Sequence, residues 1–287
     1  MAAQLPLDKT KKFFKEDITG QLGKIEKLDE PNDMPGGKVF VAHCERGVVD
    51  MSLVLNGKDE IAGLLFKPHV ASNAAPEKHQ TELSLPFKGR WLVAWGGDTK
   101  QLNQHHDTPN QRFAFDLLGV DENGNTRRNQ SNTNEDYFAF DREVIAPADG
   151  RVVEAIDGVH DNEPGSMNPY SALGNCVVIR HRDDEVSVCA HLRRGSVAVK
   201  LDEQVQHGQL IGRCGNSGNS SEPHLHFHLQ NSPVIEGGVG IKCTFERVVV
   251  TQNGKTETRR NYSPIKGDMV SPADAVGSPV EPLARHG

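Results

Sequence analysis

Between Val144 and Gly218, turn residues cut the chain into short apolar runs, and no long helical pattern joins them. The runs are Val152 to Ile156, Cys176 to Arg180, Val186 to Ala190 and Gln209 to Gly212. They are rich in β-branched and apolar side chains and are separated by Asp-Gly, Leu-Gly and Ser-Gly steps. Branched side chains suit a pleated surface, and glycine-bearing pairs reverse the chain between strands. Runs this dense predict a mainly β fold, with an antiparallel β-sheet sandwich or open barrel as its core.

The same signals recur outside that stretch. Val39 to Val41, Val48 to Leu55 and Ile61 to Phe66 predict a small N-terminal antiparallel sheet, with Asn56-Gly57 as a hairpin turn. Leu83 to Phe87 and Trp91 to Trp95 read as strands, with Gly96-Gly97 as a tight turn. Lys242 to Gln252 and the segment from Thr256 read as a hairpin around Asn253-Gly254. From Lys9 to Lys27, Phe13, Phe14, Ile18, Leu22 and Ile25 fall at helical spacing. Residues 119–136 are almost wholly polar and predict an exposed loop. The resulting organisation is a leader or helix over 1–37, a small β-rich domain and linker over 38–82, a large domain over 83–271, and a tail over 272–287.

Bulk properties exclude several classes of function. The 287 residues suffice for one large domain or two modest ones. A net charge of -7 provides no basic field for nucleic acid or an anionic membrane. The longest apolar runs, such as Val248 to Val250, fall far short of the roughly 18–20 residues that a bilayer requires. The first residues lack the apolar core of a secretory signal. The expected compartment is therefore periplasmic or extracellular if a signal was removed, and cytoplasmic otherwise. Five cysteines with no Cys-x-x-Cys pair argue against a disulfide framework or a cysteine zinc knuckle, and Cys176, Cys189 and Cys214 read as small buried hydrophobes. Two Trp and three Tyr are too few for an aromatic carbohydrate-binding groove.

The histidines are unevenly placed. His224, His226 and His228 follow Pro223 at every second position. On a strand such side chains share one face, which presents several imidazoles to a metal ion. Alone, the pattern equally describes a strand with surface histidines. Upstream, His105-His106 and Asp116 supply more ligand types. One of those histidines with Asp116 and His226 would make a two-histidine, one-aspartate set, leaving the fourth position to water, as in catalytic zinc sites. His191 ends an apolar strand. Alone it reads as a strand-end histidine; beside a metal it becomes a candidate for orienting water or stabilising an oxyanion.

Taken together these segments resemble the lysostaphin-like zinc endopeptidases, the M23 family of peptidoglycan hydrolases. The resemblance covers about residues 100–232. It rests on His105 to Asp116, Val144 to Val153, Gly174 to His181, Ala190-His191-Leu192, Val205 to Gly212, Gly215 to Gly218 and Glu222 to Phe227, in family order. It implies a lysostaphin-like fold with a catalytic core over 100–232. It implies Zn2+ held by His105, Asp116 and His226, with His191 and His224 as catalytic histidines. His224 would act as general base, and His191 would bind the oxyanion. The implied substrate is peptidoglycan or another peptide, cleaved by metal-activated water. Asp116 lies eleven positions after His105, a longer spacing than many members show, and His106 stands as the alternative first ligand. The rival readings are a non-catalytic binding or activating module of the same fold and a metallohydrolase acting on a non-cell-wall amide.

Overall fold

The computed structural model describes residue 15 and residues 19–34, 37–57, 61–68, 78–235 and 238–273. The chain divides near residue 71 into two compact units. Among the described residues no helix is long and apolar enough to cross a membrane.

Among the described residues, the first unit has one helical turn, α1 (Thr19–Leu22). Gly23 ends it: its φ is 77°, and its N–H returns to the Thr19 carbonyl at 3.0 Å, a helix C-terminus that suits glycine. The helix predicted to reach Lys27 therefore stops early, and Ile25 begins a strand instead. The earlier part of that expectation, residues 9–14 and 16–18, lies outside the described residues. Five strands follow: β1 (Ile25–Leu28), β2 (Asn32–Met34), β3 (Gly37–Cys44), β4 (Gly47–Leu55) and β5 (Ile61–Pro68). They pair antiparallel in the order β1-β3-β4-β5, with β2 also on β3. The sheet thus begins at Ile25, inside the stretch read as leader. Its buried apolar cluster is Ala42, Cys44 and Val49, packed against Leu22, Met51 and Phe66.

The second unit holds β6 (Trp91–Trp95), β7 (Phe115–Gly119), β8 (Glu143–Ile145), β9 (Gly150–Ile156), β10 (Asn175–Arg182), β11 (Glu185–Leu192), β12 (Gln204–Val205), β13 (Leu210–Arg213), β14 (Leu225–Gln230), β15 (Gly240–Ile241), β16 (Phe245–Gln252), β17 (Lys255–Tyr262) and β18 (Met269–Pro272). The main sheet is open and runs β12-β9-β10-β11-β14-β7-β6-β18-β16-β17, with β15 on β14, while β8 and β13 form a separate pair. The fold is mainly β and antiparallel, as the sequence predicts. The hairpin at Asn253-Gly254 forms as expected, with φ of 51° and 77°, the positive pair a tight β-turn of this type requires. Leu83 to Phe87 does not form a strand. Pro86 cannot donate to a ladder, and only the bridges Leu83–Phe245 and Phe87–Val144 appear. Linker residues 69–77 and tail residues 274–287 fall outside the described set.

The middle strands bury both faces, which is why β10, β11 and β14 read as apolar runs rather than as alternation. On one side Val177, Ile179, Cys189, Leu225, Phe227 and Leu229 join Trp91, Phe115, Leu117 and Phe245 in the main core. Each such large side chain contributes roughly 1.5–3 kcal/mol when fully buried. On the other side Cys176, Val178, Val186, Val188 and Ala190 form a second cluster. All five cysteines are buried free thiols.

Candidate metal centre

Alternation along β14 sends Leu225, Phe227 and Leu229 into the main core. It leaves His226, His228 and Gln230 on the opposite face. The register then selects their neighbours. His226 stands opposite Ala190 of β11 on one side and opposite Asp116 of β7 on the other. Side chains directly opposite across antiparallel strands share a face and touch. The contact between Asp116 and His226, 110 positions apart in sequence, is thus set by one cross-strand register.

Asp116 is the hub. Its Oδ1 lies 3.0 Å from His226 Nδ1 and 3.6 Å from His224 Nε2. Its Oδ2 lies 2.9 Å from His105 Nε2 and accepts from the Gln104 side-chain amide at 2.8 Å. Burial alone would raise this carboxyl. The His224 charge and the bond from His105 outweigh it and hold the group well below the usual carboxylate range. His226 is buried, and burial pushes its ring below the usual imidazole range, toward the neutral form that binds metals.

His105 arrives on a loop shaped by Asn103. The Asn103 amide is fully buried and donates to the carbonyls of Gly97, Arg112 and Ala114 at 3.0–3.2 Å, while its Oδ1 accepts the His105 N–H at 3.0 Å. His106 bonds Asp107 at 3.0 Å and is not among the residues grouped at ligand distance. One ligand atom from each of His105, Asp116 and His226 therefore lies within 4.8 Å of the others, a group able to hold a metal ion. Two imidazole nitrogens, one carboxylate oxygen and no thiolate form a donor set suited to zinc with a place left for water. Gln104 and Asn103 had no assigned role in the sequence reading. A short polar side chain beside a motif histidine carries no pattern that separates a clamp from a surface residue.

The two remaining histidines flank this group. His224 shares the β14 parity of His226. Its Nδ1–H donates to the Glu222 carbonyl at 2.8 Å, and Ser220 Oγ lies 3.1 Å from the same nitrogen. His191 should by alternation point into the main core, because Ala190 belongs to the opposite cluster. It has a φ of 61°, and the strand changes phase there: Leu192 takes the main-core side, and the His191 ring turns to within 4.7 Å of His224 and 5.7 Å of His226, centroid to centroid. A left-handed non-glycine residue is uncommon and recurs at functional sites. The His191 Nδ1–H donates to the Ser217 carbonyl at 2.8 Å. Burial, reinforced by the charges of His224 and His226, holds His191 well below the usual range. Since a carbonyl can only accept, both rings carry a proton on Nδ1 and turn Nε2 to the site.

The polar loop 119–136 is tied to this region rather than free. Asn134 donates to the Asn162 carbonyl at 2.8 Å, the buried Asn216 donates to Asn134 Oδ1 at 3.1 Å, and Ser220 Oγ donates to Asn216 Oδ1 at 2.7 Å.

Comparison with known proteins adds an independent line. The family description "Peptidase family M23" matches residues 132–241. The peptidoglycan DD-endopeptidase ShyC of Vibrio cholerae is 34% identical over 118 residues, 41% of this chain and 26% of that protein. The murein hydrolase activator NlpD of Escherichia coli is 36% identical over 87 residues, 30% of this chain and 19% of that protein. This chain thus spans about a quarter or less of these relatives' length. Among solved structures, the catalytic domain of lysostaphin from Staphylococcus simulans aligns with a TM-score of 0.31 at 21% identity, covering 54% of this chain and 88% of that one.

Proposed function

We propose, from the match of residues 132–241 to peptidase family M23, that this chain is a member of that family and a zinc metalloendopeptidase acting on peptide crosslinks of peptidoglycan. The observation that carries this reading is the convergence of His105, Asp116 and His226 on one locus, beside two histidines that turn their Nε2 atoms toward it. Those three residues would hold the ion. Zinc bound there would polarise the scissile carbonyl and lower the pKa of water toward about 7.

The chain's own groups carry the protons. His224 is the more accessible of the pair, at 13% side-chain exposure, and it accepts the proton of the attacking water at Nε2. The water oxygen bonds to the carbonyl carbon, the C–N bond breaks, and the accepted proton passes to the departing amine. His191 is buried and neutral at rest, so it donates to the developing oxyanion only after a proton has entered the histidine pair. The Ser217 and Glu222 carbonyls fix both ring orientations before substrate arrives, so no rotation is needed during the reaction.

Two measurements test the reading together: metal analysis of the purified protein, and mass spectrometry of crosslinked muropeptides and ordinary L-peptides after incubation. Zinc near one equivalent with cleavage confined to muropeptides is expected. Cleavage of ordinary L-peptides alone would move the substrate away from the cell wall. A second reading, a non-catalytic activator, draws support from the similarity to NlpD. It predicts no cleavage at full zinc loading, together with stimulation of a separate wall hydrolase.

A further inference from the structure

Behind the proposed ligand His226 lies a file of buried side chains that the mechanism above does not use. His226 Nε2 meets His228 Nδ1 at 3.0 Å, His228 Nε2 meets Gln230 Oε1 at 2.9 Å, and the Gln230 amide nitrogen reaches the Ser232 and Val234 carbonyls at 2.6 and 3.3 Å. Asn110 adds its amide to Gln230 Oε1 at 3.4 Å and to the Ile235 carbonyl at 2.7 Å. His226, His228 and Gln230 are each at most 2% exposed.

Bond directions along this file follow from its far end. The Ser232 and Val234 carbonyls can only accept, so the Gln230 atom facing them is its NH2 and the atom facing His228 is its oxygen. An oxygen there obliges His228 Nε2 to donate. The two ring hydrogen bonds of His228 go to His226 and Gln230, neither an acid, and a fully buried ring with no counter-ion against it stays neutral, so it carries one proton. Its Nδ1 must then accept, and His226 Nε2 must donate.

We propose that His228 and Gln230 are positioning residues that lock His226 into its Nε2–H tautomer and so turn its Nδ1 lone pair toward Asp116. The arrangement leaves Nδ1 of His226 and Oδ1 of Asp116, two acceptors 3.0 Å apart, facing each other, a contact that becomes favourable only with a cation beside both. The file is therefore a device that shapes the ligand before any ion binds. It rests on the zinc reading above for the identity of that cation, while the tautomer itself is independent of it.

Two readouts on the full chain test the proposal. Long-range nitrogen–proton NMR of the metal-free protein should find the His228 proton on Nε2; a proton on Nδ1 would overturn the file whatever the protein binds. Chelator competition should find zinc binding weakened by roughly 10–100-fold in His228→Leu, the usual span for losing a partner behind a ligand. His228→Gln, whose amide offers both an acceptor and a donor, should bind within about threefold of the parent, a small fraction of that loss. Wild-type affinity in a folded His228→Leu would also defeat the proposal. Absence of zinc binding in the parent would defeat the functional reading instead, and the NMR result would still decide the tautomer.

Discussion

The N-terminal sheet and the large sheet use the same strand chemistry but differ in how many faces they cover. In the first, Ala42, Cys44 and Val49 form the buried cluster, β1 is exposed throughout, and Ile61 and Leu65 remain 65% and 51% exposed. In the second, β10, β11 and β14 are covered on both faces, so one face of β14 anchors the strand while the other is given over to imidazoles. A polar side chain on a one-sided sheet meets water and keeps its ordinary chemistry. The same side chain on the second face of a covered strand is desolvated and oriented, and its protonation state is set by its neighbours.

The sharpest break between the two units is expected for the metal. Asp116→Ala should abolish both zinc binding and hydrolysis, whereas His43→Ala in the N-terminal sheet, which removes a 2.8 Å bond to Asp29, should leave the zinc content of the purified protein unchanged. Zinc loss from the second variant would end the distinction. Next in size, His191→Ala or His224→Ala should retain zinc and slow turnover by roughly 10²–10⁴-fold. If His224→Ala stripped the metal as deeply as Asp116→Ala, the division between ligand and proton carrier would fall.

Stability should separate the units as well. Phe227→Ala in the main core should cost about 3–5 kcal/mol by denaturant titration. Val49→Ala, in the smaller cluster, should cost roughly 1.5 kcal/mol, the transfer value of two methylene-sized groups. Equal losses would mean that the N-terminal sheet is better packed than its burial indicates. The pH response should also belong to the large unit. Burial pushes His181, His191, His226 and His228 below the usual imidazole range. Such a group binds fewer protons folded than unfolded, so its contribution is complete above the unfolded value of about 6.5 and is lost progressively as pH falls toward the folded value. Asp116, held low, adds a loss of the same sign at more acidic pH. Metal-free protein with a constant denaturation midpoint from about pH 8 to about pH 5 would contradict this. Smallest of all, Ile61→Ser at an exposed strand position should move stability by no more than about 0.5 kcal/mol.

Much of this architecture was legible in the residues. Short branched runs with glycine turns announced an antiparallel β fold, and Asn253-Gly254 announced its hairpin, because those signals are local. The histidine parity on β14 was equally legible, since alternation needs only the strand itself. The strand over Leu83 to Phe87 was misread because Pro86 outweighs the apolar pattern around it. His191 was legible as a candidate but not as a geometry: nothing in Cys189-Ala190-His191-Leu192 signals the φ of 61° that turns its ring to the site. Gln104, Asn103 and the His228–Gln230 file were hidden for another reason. Their roles depend on which groups face them, loop carbonyls for Asn103 and Gln230 and the Asp116 carboxylate for Gln104, and those groups converge only in three dimensions.

The five cysteines give the molecule a further property. Burial pushes Cys176 up to about 12 and raises Cys44, Cys189, Cys214 and Cys243 as well, so none offers a thiolate while the chain is folded. Sulfur therefore stays out of competition with nitrogen and oxygen for a soft cation. It also stays silent toward alkylating reagents until a strand pair opens. The thiols of the large sheet are native probes of its breathing, and the rate at which they become labelled would time that opening without an added label.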